Sequence, residues 1–164
     1  MRPNDLVLTP TGLRFLGRHF PCTIGRNGLT STKQEGDGAT PRGIHHITGV
    51  LYRPDRILAP TCWAQPIKIG DLWSDDSADP AYNQQVKAPY APSHEHLRRP
   101  DPLYDLIFLT DWNWPKAVPG KGSAIFLHQY RRKGAPTEGC IAFRRDHLYW
   151  IASRLHIGTR LIVR

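Results

Sequence analysis

The sequence predicts a mostly β fold with one helix packed on the sheet and a long proline-rich loop. Short runs of β-forming residues recur along the chain and are broken by Pro or Gly. Only one stretch carries apolar residues at helical spacing. Residues 70–102 show little periodicity and many turn formers. The 164 residues are enough for a full core and few for two ordinary domains, so a single domain over 1–164 is expected.

In order, "DLVLT", a turn at "PTG", "LRFLG" and "FPCTIG" give the first strands. "GDGATPRG" (36–43), with three glycines and a proline, specifies a fixed turn, and its Asp37 and Thr40 are candidates to brace the floor of a site. "IHHITGVLY" (44–52) is the next strand, with Ile44, His46 and Thr48 on one side and His45, Ile47 and Gly49 on the other. "QPIKIG" is a weaker one. The segment 70–102 is expected to be a lid or wall without regular structure. Two strong strands follow, "YDLIFLT" (104–110) and "SAIFLH" (123–128), the second delivering His128 at its edge. In "RRDHLYWIASRLHIG", Leu148, Ile151, Ala152 and Leu155 form one helical stripe that should stop at Gly158. "TRLIVR" closes the chain as a strand.

Twenty-two Lys and Arg against 14 Asp and Glu leave a net charge of +8, which suits a polyanionic neighbour such as nucleic acid, anionic membrane or cell wall, or simply a solvated basic surface. No run approaches the roughly 20 apolar residues of a membrane span. The start "MRPNDLVLTPTGLRF" shows no signal-peptide core, as in a cytoplasmic or already trimmed protein. A monomer is expected. Cys22, Cys62 and Cys140 form no Cys-x-x-Cys pair, which argues against zinc-knuckle and thioredoxin chemistry. Cys22 is expected in the core, and a Cys22–Cys62 disulfide would require an oxidising compartment.

The chemistry concentrates in "APTEGCIAF" (135–143). A cysteine attacks a carbonyl as thiolate, so it needs an imidazole to take its proton and a fixed backbone to aim its sulfur. Gly139 permits torsions closed to other residues and leaves amides beside Cys140 uncovered for an oxyanion, Thr137 can hold the turn, and His128 is a candidate base. Spacing alone favours an inert core cysteine. Of other candidates, "HEH" (94–96) with His45 and His46 lacks a further carboxylate at metal-binding spacing, so neither metal nor cofactor is expected. Trp112 and Trp114 in "DWNWP" are expected to pack under a loop, and Asn113 between them to line the cleft.

Together, and in this order, "GDGATPRG", "YRPDR", "SHEHL", "YDLIF", "GKGSAIFLH" and "APTEGCIAF" resemble the L,D-transpeptidase catalytic domain (YkuD-like) family, most closely its small proteobacterial single-domain members. The resemblance implies a YkuD-like β-sandwich or barrel, Cys140 as nucleophile and His128 as base, oriented by a backbone carbonyl. It implies attack on the carbonyl at an L-centre of a peptidoglycan stem peptide, giving a thioester resolved by a diaminopimelate amine of a second stem. The crosslink would be 3,3 or, favoured by the proline-bearing loop, 1,3. Gly139, Thr137 and Glu138 would position substrate or oxyanion. Peptidoglycan stems become the expected partners in place of nucleic acid, and the periplasm the expected compartment. Gln129, Glu138 and Ala142 depart from the family's usual Gly, His, and Arg or Asn. Glu138 would set a negative charge beside the thiolate and could meet the acceptor amine. An L,D-carboxypeptidase or crosslink-cleaving hydrolase on the same site is the enzymatic alternative. A non-catalytic cell-wall or nucleic-acid binder is the other.

Overall fold

A computed structural model describes residues 2–164. The strands, in chain order, are β1 (Leu6–Thr9), β2 (Gly12–Phe15), β3 (Arg18–Phe20), β4 (Cys22–Thr23), β5 (Leu29–Thr30), β6 (Thr40–Pro41) and β7 (Gly43–Tyr52). They continue with β8 (Gln65–Pro66), β9 (Asp71–Ser74), β10 (Gln85–Lys87), β11 (His94–His96), β12 (Leu106–Thr110), β13 (Phe126–Gln129), β14 (Ile141–Phe143) and β15 (Arg160–Val163). The helix α1 spans Arg145–Ala152. The fold is therefore mostly β, as the sequence predicts.

The main sheet runs β3-β2-β1-β15-β7-β12-β13-β14-β4, with β8 on β7, and β4 returns against β2 so that the sheet is a nearly closed barrel. Long β7 is its backbone. It pairs antiparallel with β15 through one half and with β12 through the other, and a bulge at Leu109/Thr110 eases the second pairing. His45 and Ile47 point inwards from β7, as alternation requires.

Strands β12 and β13 read as continuous apolar runs because both their faces are covered. Leu106, Phe108 and Leu127 join a core with Leu148, Ile151 and Ala152 of α1. Ile107 and Phe126 face the other way, into a second cluster with Trp73, Leu97, Tyr104 and Cys140. Each such buried side chain contributes about 1.5–3 kcal/mol. Because side chains alternate along a strand, His128 lies on the Phe126 face, towards the second cluster.

Two expectations need correction. Residues 70–102 are not structureless: β9 pairs antiparallel with β10 and with β11 to make a separate three-stranded sheet. All four residues of β9 are buried and its neighbours are three residues long, so no alternation marks them in the sequence. The helix ends at Ala152 rather than at Gly158, the Ser153 amide bonding back to the Tyr149 and Ile151 carbonyls. Leu155 is still buried in the same core, beyond the helix, which is why the stripe looked longer. All three cysteines are free thiols, with Cys22 half-buried and Cys62 exposed.

Candidate active site

Strands β13 and β14 run parallel with His128 opposite Ala142, which sets Cys140, just before β14, on the same side as the histidine. Both residues line one cavity of about 700 Å³. Gly139 makes the turn into Cys140 with φ +141, and a Cβ there would stand 2.9 Å from the Ala39 carbonyl oxygen. Only glycine fits without moving backbone.

Two threonines fix that turn. Thr137 Oγ1 donates to the Cys140 carbonyl at 2.6 Å and accepts from the Gly139 amide at 3.2 Å. Thr40 Oγ1 donates to the Gly139 carbonyl at 2.8 Å while accepting from the Gly25 amide at 2.9 Å. Asp37 holds the approach to Thr40, accepting from the Ala39 amide and ion-pairing with Lys33. The bracing role expected of Asp37 and Thr40 is thus present. The Thr137 backbone is tied in turn to Ile24 and Arg26, so the loop before the cysteine is pinned on both sides.

The Cys140 thiol donates to the Ala124 carbonyl at 3.0 Å and accepts from the Phe126 amide at 3.3 Å. Ala124 has a left-handed backbone, φ 49, at a non-glycine position. Burial, and secondly the charge of Glu95, push the Cys140 pKa up to about 12. His128 donates Nδ1–H to the Gln129 carbonyl at 2.7 Å, which leaves Nε2 as the unprotonated nitrogen. Burial lowers its pKa to about 4. The neutral thiol and neutral imidazole are therefore the resting forms.

Of the remaining residues singled out in the sequence, Thr137 and Glu138 line the cavity, but the Glu138 carboxylate is exposed and paired with Arg26. Asn113 does not line it. Its side chain instead spans the 113–122 turn, Nδ2 bonding to the Val118 and Gly122 carbonyls and Oδ1 accepting from the Val118 amide. Trp112 and Trp114 bond to the Lys121 carbonyl and to Gln84, braces of the same region. The carboxylate whose charge reaches Cys140 is Glu95, the middle residue of "HEH". It accepts a hydrogen bond of 2.5 Å from Tyr104, whose ring meets His128 edge-on at 5.4 Å between centroids. The only sequence signal for Glu95 was its place in a segment expected to wall a site.

A thiol and an imidazole presented from neighbouring strands into one cleft of a β barrel are the equipment of a cysteine-dependent acyl-transfer enzyme. Residues 11–163 match the YkuD L,D-transpeptidase catalytic domain, and the chain belongs to that family. Its function is accordingly that of the L,D-transpeptidase family, whose members crosslink cell-wall peptidoglycan. No curated protein and no solved structure matches the chain.

Proposed function

We propose that the protein is a peptidoglycan L,D-transpeptidase acting, as one catalytic unit over 1–164, through Cys140 with His128 as general base. The observation that carries this is the shared cavity: in a chain of this family, the one cysteine that lines it stands with a buried histidine whose Nε2 is free. Because the resting pair is neutral, the proton leaves Sγ for His128 Nε2 as sulfur attacks the donor carbonyl, not beforehand. The Cys140 amide, which makes no hydrogen bond among the described residues, is the donor left for the oxyanion, since the Gly139 amide is engaged by Thr137. Collapse of the tetrahedral intermediate expels the leaving amine, which takes the proton from His128. The neutral side-chain amine of diaminopimelate from a second stem then attacks the thioester, its proton passing to His128 and on to the Cys140 sulfur as the C–S bond breaks and the new amide forms.

The linkage we favour is 1,3, on the support of the proline-bearing segment 87–102, whose Glu95 and Arg99 narrow the cavity. The periplasm, where peptidoglycan is built, is the compartment this function requires. Among the described residues no helix is long and apolar enough to cross a membrane. The test is incubation with purified disaccharide stem peptides and mass analysis of the products. Crosslinked dimers that vanish with Cys140→Ala support the reading, and their fragment masses give the linkage. Shortened monomers alone would instead establish the hydrolase. Full turnover by Cys140→Ala would overturn both.

A further inference from the structure

The protein carries an excess of cations, and nine of its fourteen carboxylates have a Lys, Arg or His partner. Among the described residues the five without one are Glu35, Asp75, Asp76, Asp79 and Glu95, and three of these, Glu35, Asp75 and Glu95, line the cavity that holds Cys140. Scarcity of cations does not explain the omission. Of the cations lining the cavity, Lys33 pairs with Asp37 and Arg99 with Asp101, while Arg131 and Arg132 form no ion pair with these acids among the described residues. Asp75 Oδ1 is shielded from solvent with no hydrogen-bond partner. Uncompensated carboxylates in a partly desolvated cleft are costly unless something cationic enters it.

Glu95 is the best placed of the three. It sits on β11 opposite Trp73 of β9, and Tyr104 ties its carboxylate to the ring beside His128. Its charge is felt at Cys140, and burial, followed by the charges of Asp75 and Glu35, raises its own pKa, a shift that an arriving cation would oppose. We propose that Glu95 is the specificity residue that receives the protonated amine of the acceptor stem and holds it beside the acyl group on Cys140. This rests on the transpeptidase reading above. It gives to Glu95 the part that the sequence offered to Glu138, whose carboxylate is outside and already paired. An ammonium held at Glu95 would otherwise face Arg131 and Arg132 on the cavity wall, so without the acid the cleft would repel the acceptor and leave the thioester to water.

The decisive measurement is the partition of the acyl-enzyme between crosslinked dimer and hydrolysed monomer, with formation of the Cys140 adduct followed separately by mass. Glu95→Gln retains a hydrogen-bond acceptor for Tyr104 and removes the charge. It should raise the acceptor KM and lower the dimer-to-monomer ratio, each by about tenfold, while the adduct still forms. With the wild-type protein, a stem whose side-chain amine is trimethylated, cationic but not nucleophilic, should inhibit crosslinking, and the neutral N-acetylated stem should not. An unchanged ratio in Glu95→Gln, or equal inhibition by the two stems, overturns the assignment and leaves the role of Cys140 standing. Absence of a Cys140 adduct in the wild type overturns both.

Discussion

The floor and the cap of the cleft are built on opposite principles. The floor, from Thr40 to Gly139 and Cys140, ties its hydroxyls to its own backbone: each threonine hydroxyl makes two hydrogen bonds and the histidine fixes its tautomer on a carbonyl. The cap, from β9 to β11, presents Asp75 and Glu95, which have no ion-pair partner among the described residues. The floor is held by its own hydrogen bonds, and the cap keeps acidic groups facing the cavity. A rigid floor suits a step in which one sulfur must be aimed, and an unsatisfied cap suits recognition of a charged second substrate.

The sharpest way to break this contrast is Thr40→Val, which removes both hydrogen bonds of one buried hydroxyl and changes no charge. If the floor depends on internal closure, turnover should drop by about one to two orders of magnitude, and stability by about 1–3 kcal/mol. Steady-state rates and denaturant midpoints measure the two. Loss of stability without loss of turnover would show that the aim of Cys140 does not depend on Gly139.

A second test uses acid. His128 titrates near 6.5 when unfolded and is lowered to about 4 when folded, so its contribution is fully present above pH 6.5 and lost as pH falls through about 4. About 3 kcal/mol of stability should disappear across that window, and His128→Gln should flatten the decline. Activity should keep its base down to about pH 5. A kcat/KM profile already halved at pH 6.5 would contradict a buried neutral imidazole.

The smallest effect is expected at the rim. Glu138→Gln breaks an exposed ion pair with Arg26 and should change rate and acceptor use by less than about twofold. A larger change would shift acceptor recognition from the cap to the rim.

The sequence exposed the floor far better than the cap. Strands β7, β12 and β13 are long or strongly apolar, and the glycine before Cys140 marks a turn that only glycine can make. Thr40 was within reach because it lies in a turn dense in glycine. By contrast, the cap strands are three or four residues long, β9 buried throughout and β10 and β11 exposed or half-buried, so little in the local pattern marks them. Asn113 and Glu138 lie close in sequence to other motifs, yet one side chain folds back on its own turn and the other points to solvent. Glu95 reaches the site through the pairing of β11 with β9 and meets there the hydroxyl of Tyr104, nine residues on. Such pairing is decided by tertiary packing, not by pattern.

The hydrogen bond from Thr40 to Gly139 joins residues 99 positions apart, and β1 pairs with β15 across nearly the full chain. Contacts of this separation are among the last to form as a chain folds. During synthesis Cys140 is therefore added long after Thr40, and the turn before it is clamped only as the two distant segments meet. If Cys140 is the nucleophile proposed above, its aim arrives together with completion of the fold, and an unfinished polypeptide carries the cysteine without that aim.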